Sequence, residues 1–110
     1  MAERQRQHEQ DPNVRKTNFD PVEDNLTDEQ AKLEASRCLN CKNPRCVSGC
    51  PVNINIPAFI HEVKEGNIDK AGDIIRESSM LPSVCGRVCP QERQCEGKCV
   101  LGIKGEAIAI

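Results

Sequence analysis

Eight cysteines, four between positions 38 and 50 and four between 85 and 99, constrain this chain of 110 residues more than any other feature. Leu, Ile, Val and Phe together number 24, about a fifth of the chain and close to the level at which a polypeptide stays disordered. A chain of this length has room for one domain and one core. With so little aliphatic material to fill that core, the cysteines must help to hold it. The only aromatics are Phe19 and Phe59, with no Trp or Tyr, which removes stacking on bases as a binding mode.

The formal net charge is -2 and no run of Lys and Arg exceeds two residues, so there is no polybasic patch for phosphate or anionic lipid. Nucleic acid is therefore not an expected partner. No apolar stretch is long enough to cross a membrane, and the opening MAERQRQHEQD is the opposite of a signal peptide's apolar core. These features indicate a cytoplasmic chain without membrane contact. Thiols in that compartment stay reduced, so eight of them point to metal binding or redox chemistry rather than to structural disulfides.

Residues 1–26 are polar, contain Pro12 and Pro21, and show no sustained periodicity, which reads as an extended strap ahead of a folded body over 27–110. Thr27 and Gln30 in TDEQ form a capping-box pattern that opens a helix running to about Arg37, with Ala31, Ala35 and Cys38 on one face. Asn55 with Pro57 starts a second helix, whose Ile56, Phe59, Ile60 and Val63 follow the helical repeat as far as Gly66. Asn67 is placed to cap a third, reaching about Met80 with Ile68, Ala71, Gly72 and Ile75 inward, so the two make a helical hairpin. Cys85 and Cys89, and again Cys95 and Cys99, stand four residues apart, which suits short helices presenting each pair on one face. The final GEAIAI resembles the first turn of a further helix, as if the chain were one module of a longer protein. No alternating pattern survives, so the fold class is all-α.

The first cysteine group reads Cys38-x2-Cys41-x4-Cys46-x3-Cys50-Pro51, and the second Cys85-x3-Cys89-Pro90-x4-Cys95-x3-Cys99. In two-cluster ferredoxins a C-x2-C-x2-C-x3-C-P run gives three ligands to one cubane and its fourth cysteine to the other. By that logic Cys38, Cys41 and Cys46 hold one 4Fe-4S cluster, while Cys50 crosses to join Cys85, Cys89 and Cys95 on a second. Cys99 completes the first. Exchange of this kind lets four thiolates converge from different directions without straining one loop, and it makes cluster binding part of folding. From Arg37 to His61 there is no Asp or Glu. Arg37, Lys42 and Arg45 lie among the first ligands and Arg87, Arg93 and Lys98 among the second, where cations would raise a cluster's potential. The competing reading is a structural zinc-binding interaction domain with two four-cysteine sites. His8 and His61 lie outside both groups, and no nucleophile–base pair or nucleotide-binding glycine pattern is legible, so no catalytic residue is assigned.

Three stretches carry a family resemblance: EQDPNVRKTNFDPV, EASRCLNCKNPRCVSGCPVNINIPAFI and VCGRVCPQERQCEGKCV. They resemble the N-terminal iron-sulfur domain of the NADPH-dependent glutamate synthase small subunit, a domain similar to those of dihydropyrimidine dehydrogenase and related flavin oxidoreductases. The resemblance covers essentially residues 9 to 110 and includes all eight cysteines. It implies an α-helical ferredoxin-like domain with two 4Fe-4S clusters, Cys38, Cys41, Cys46 and Cys99 on one, Cys50, Cys85, Cys89 and Cys95 on the other. It further implies a downstream region of the parent protein binding FAD and NADPH, and a large subunit or other flavin-containing acceptor as partner. Catalysis by such a parent does not carry over to this stretch alone.

Overall fold

The computed structural model describes residues 2–110, and among them the chain is helical with no strand. Six α-helices run in order: α1 Pro12–Arg15, α2 Asp28–Ser36, α3 Arg45–Gly49, α4 Ile56–Glu65, α5 Ile68–Arg76 and α6 Pro82–Val88. Three short 3-10 turns follow at Gln91–Arg93, Glu96–Lys98 and Val100–Ile103. The all-α expectation is met.

Local chemistry explains the starts and stops. Thr27 and Gln30 form the reciprocal capping box expected for α2, satisfying two backbone donors that a helix start otherwise leaves without partners. Asn55 accepts from the Ala58 N–H to cap α4, Pro57 sits in its first turn, and Gly66 closes it in the left-handed conformation at φ 85°. Asn67 differs from expectation, because its side chain makes no cap and instead donates to Glu62 at 2.9 Å. Helix α5 also stops at Arg76 rather than near Met80, its last carbonyls being taken up by a turn in which the Ser78 and Ser79 N–H groups both donate to Ile75.

Helices α4 and α5 pack on each other, and α2 lies against α4. The buried apolar cluster is small: Ala35 from α2, Ile56 and Ile60 from α4, and Ile108 near the end of the chain. Ile56 and Ile60 occupy the face expected for them, with Phe59 and Val63 half-buried beside them. In α5, Ala71 is buried, but Ile68 in its first turn faces solvent.

The final residues do not form a helical turn. Residues 106–110 are irregular because their backbone groups are claimed by side chains from elsewhere in the fold. Arg37 donates to the carbonyls of Glu106 at 2.7 Å and Ala107 at 3.3 Å, and Glu34 accepts from the Ala109 N–H at 2.8 Å. That anchorage delivers Ile108 into the core.

The polar N-terminal segment is tied to the same place. The Gln5 N–H donates to Glu34 at 2.7 Å, and Arg4 reaches both the Ala107 carbonyl at 2.9 Å and the Glu96 carboxylate at 2.8 Å. Further on, Glu9 and Glu23 face each other across an isolated antiparallel bridge flanked by Gln10–Val22 and Asp24–His8 backbone bonds. Desolvation raises the Glu23 carboxyl above its usual range and the adjoining Glu9 adds to this, while Arg87 of α6 pulls the other way. The loop therefore reaches the neighbourhood of α6.

Candidate iron-sulfur site

Helix α2 ends by delivering Cys38 to a short loop. Asn40 adopts a left-handed backbone at φ 49°, a conformation that asparagine tolerates better than most side chains. This turns the loop back so that the Asn40 N–H points at Cys38 Sγ, 3.4 Å away, and brings Cys41 alongside. Helix α3 carries Cys46 in its first turn and presents Cys50 at its C-terminal cap. Helix α6 carries Cys85 and leads into Cys89, which is the i, i+4 arrangement the spacing suggested. Cys95 and Cys99 instead flank a 3-10 turn, Glu96–Lys98, in place of an α-helical segment. With further tight turns at Gln91–Arg93 and Val100–Ile103 on either side, the segment never gains a full α-helical repeat.

These elements bring the first and last cysteines of the pattern together. Cys38, Cys41, Cys46 and Cys99 line one cavity of about 420 Å³ of empty space, part of it open to solvent, together with Ile56, Ile60 and Ile108 of the core. Burial pushes the Cys38 and Cys46 thiols above their ordinary value. Backbone N–H groups of Asn40 and Val47 oppose the rise, and the neighbouring thiols within this set reinforce it. Cys50 does not line this cavity. Desolvation raises Cys89, with Cys85 and Cys50 adding to the shift, and Cys95 is pushed up to about 11, by burial first, against the Glu96 N–H and with help from the Glu96 carboxylate and Cys50. Ser79, buried behind α6, points its hydroxyl at Cys85 Sγ from 3.9 Å.

All eight cysteines are free thiols, and each is half-buried. Five of them, Cys38, Cys46, Cys50, Cys95 and Cys99, pack directly against the apolar core. Among the described residues no three Cys, His, Asp or Glu side chains are gathered tightly enough to grip one ion. The sulfurs of the first set stand around a space instead, as suits ligands that each bind a different iron of one cluster. A donor set made of thiols alone, with no carboxylate or imidazole lining the cavity, fits an iron-sulfur cluster. Thiols raised by burial are protonated at neutral pH, so ligation must expel their protons.

Close backbone approach holds the two halves of the pattern together. A Cβ on Gly49 would lie 2.6 Å from the Gln94 carbonyl oxygen and 2.9 Å from Cγ of Lys98. Only glycine lets α3 approach the 94–98 segment this closely, which seats Cys46 and Cys50 beside Cys95 and Cys99. Gly49→Ala is expected to destabilise the holo chain by about 1–3 kcal/mol through overpacking, seen as a lower urea midpoint of the cluster absorbance under anaerobic conditions. An unchanged midpoint would show that the contact relaxes freely.

The cations expected to surround the ligands divide. Lys42, Arg45, Arg87, Arg93 and Lys98 are exposed, but Arg37 is buried and bonded to Glu34 at 2.6 Å, so it braces the fold instead of standing free beside the sulfurs. Glu34, 2 % exposed, was not singled out by sequence reasoning. Its i, i+3 spacing to Arg37 is the one available signal, and surface pairs share it.

Among the described residues no helix is long and apolar enough to cross a membrane. Comparison with known proteins gives a consistent picture. The chain is 42 % identical over 97 residues to the glutamate synthase (NADPH) small chain of Escherichia coli K12, an alignment spanning 88 % of this chain and 21 % of that protein. It is 43 % identical over 98 residues to the putative oxidoreductase AegA of the same organism, spanning 88 % of this chain and 15 % of that protein. It is 35 % identical over 109 residues to glutamate synthase (NADH) of Saccharomyces cerevisiae, spanning 96 % of this chain and 5 % of that protein. The chain thus spans about a fifth or less of the length of these relatives. Residues 15–110 match the family described as dihydropyrimidine dehydrogenase domain II, 4Fe-4S cluster, which sets the zinc reading aside. With its thiol-lined cavity and all-helical frame, this chain belongs to that 4Fe-4S family.

Proposed function

We propose that this chain is an electron-transfer module with two 4Fe-4S clusters, relaying electrons between an NADPH-reduced flavin and a second redox site, as in the glutamate synthase small subunit. The ligands are Cys38, Cys41, Cys46 and Cys99 for one cluster and Cys50, Cys85, Cys89 and Cys95 for the other. What supports the reading is the cavity in which Cys99, the last cysteine of the chain, joins Cys38, Cys41 and Cys46 of the first run while Cys50 does not line it. Each cluster, when bound, supplies one-electron chemistry. The residues of the chain supply the rest: thiolate ligands, backbone N–H groups such as that of Asn40 directed at sulfur, and apolar walls from Ile56, Ile60 and Ile108 that limit water.

FAD and NADPH belong, on this reading, to a downstream domain of the same parent protein, with a large subunit or other flavin-containing acceptor beyond it, in the cytoplasm. Residues 1–26 serve as a strap on the folded body of 27–110. The names of the relatives, an NADPH-linked glutamate synthase chain and an oxidoreductase, support this placement.

Anaerobic reconstitution is expected to give about eight iron and eight sulfide per chain, with EPR signals of two reduced cubanes. Stoichiometric zinc without acid-labile sulfide would refute the reading. The partition has its own test. Cys50→Ala should damage the cluster of Cys85, Cys89 and Cys95 while sparing the other, although Cys50 sits in the first run, and Cys99→Ala should do the reverse. Loss of the same EPR signal in both variants would overturn the assignment.

A further inference from the structure

We propose that the surface over the Cys38–Cys46 loop and the turn at Val100–Ile103 is the docking face for an acidic redox protein, and hence one terminus of the relay. The inference rests on the electron-transfer reading above and adds to it the chemistry of a partner.

The face has an apolar centre. Leu39, 60 % exposed, lines the thiol cavity together with Val100, and Ile103, 67 % exposed, lines the neighbouring groove together with Val100. The cavity that gathers Cys38, Cys41, Cys46 and Cys99 shares Val100 and Leu101 with a shallow groove running on to Ile103, so the apolar surface is continuous with the wall of the thiol site.

A cationic rim surrounds that centre. Arg45 and Lys98 line the cavity, Lys104 lines the groove, and Lys42 is exposed on the loop between Cys41 and Cys46. No Asp or Glu lines either hollow. Elsewhere Arg4, Arg6, Arg37, Lys70 and Arg76 are matched to carboxylates, but none of these four rim cations has such a partner among the described residues. The chain as a whole is acidic, with a formal charge of -2, so this grouping of unmatched cations is a local property of this face.

An apolar centre with a charged rim is the anatomy of a specific interface, and a local field of one sign steers a partner of the opposite sign into register. Few apolar residues are exposed here, which suits a small, transient contact of the kind that redox encounters use. A carboxylate-ringed partner seated on this face stands directly over the Cys38 set. One electron leaves the reduced chain and one enters the oxidised partner, with no bond made or broken.

The test uses the reduced holo chain and two one-electron acceptors of opposite charge, an acidic blue-copper protein and a basic c-type cytochrome, mixed by stopped flow. The second-order rate with the copper protein is expected to fall about tenfold or more between about 10 mM and about 500 mM salt, as steering is screened. Lys42→Glu combined with Lys104→Glu should slow that reaction at low salt by a similar factor and speed the cytochrome reaction, with iron, sulfide and EPR signals retained. A copper-protein rate that does not depend on salt, or that the double variant leaves unchanged with its clusters intact, overturns the proposal. If the double variant does not hold iron, the salt dependence of the unsubstituted chain decides alone. Failure of the unsubstituted chain to assemble clusters counts against the electron-transfer reading itself.

Discussion

Removing iron from the holo chain with a chelator is expected to leave a compact but fluid polypeptide that binds ANS, keeps part of its helical far-UV signal and shows no cooperative urea transition. The interior explains why. Among the described residues its buried apolar side chains are Ala35, Ile56, Ile60, Ala71 and Ile108, and no large side chain lies below 2 % exposure. Set against the conformational entropy of a chain this long, burial of a few aliphatic groups is too little to hold a unique fold. Five cysteines complete the packing around that cluster, so cluster binding supplies folding free energy, as it does in other small metal-dependent domains. Helices α2 and α4 hold strong local caps and should persist longest. A sharp, cooperative unfolding transition of the iron-free chain would show that the aliphatic core suffices.

The second large effect is expected at Glu34. Glu34→Ala should destabilise the holo chain by about 3–5 kcal/mol, because it leaves Arg37 as an uncompensated buried charge. The side chains of both partners are 3 % exposed, so water cannot take the place of the lost carboxylate. The same change removes the acceptor of the Gln5 and Ala109 N–H groups, which releases the strap and the Ile108 segment together. Arg37 Nε is already buried without a hydrogen-bond partner, so the site has no spare acceptor to offer. Glu34→Met with Arg37→Met should recover part of the loss, since replacing both charges by apolar groups removes the desolvation penalty. Anaerobic urea titration followed by cluster absorbance measures all three variants. A Glu34→Ala shift below about 1 kcal/mol, the range of exposed pairs, would mean that the pair is solvated in solution.

What the sequence made legible is local or periodic. Thr27 and Gln30, Asn55 and Pro57, and the Ile56–Phe59–Ile60–Val63 stripe each act within one or two turns of their own helix, and each is found as its pattern implied. That Cys99 lies beside Cys38, Cys41 and Cys46 was also readable, because a short run cannot surround a cubane alone and must borrow a ligand from a distance. The features that escaped depend on partners far along the chain. Glu34 and Arg37 look like an ordinary surface pair until residues 106–109, some seventy positions on, are laid over them. The same segment appeared helical because its residues favour a helix, but Arg37, Arg4 and Glu34 satisfy its backbone instead. At Gly49 the deciding contact is the backbone of Gln94, which no pattern around position 49 announces.

Helix α3 is only five residues long, yet it carries Cys46 at one end, lining the thiol cavity, and leads directly into Cys50 at the other, which does not line it. Four residues of helix rise about 6 Å, and Gly49 locks this single turn against a neighbouring backbone. The short rod therefore acts as a ruler: the spacing between these two thiols is written into covalent geometry and does not drift with the breathing of the surrounding helices. Substitutions elsewhere can alter the surroundings of either thiol while the distance between them stays fixed.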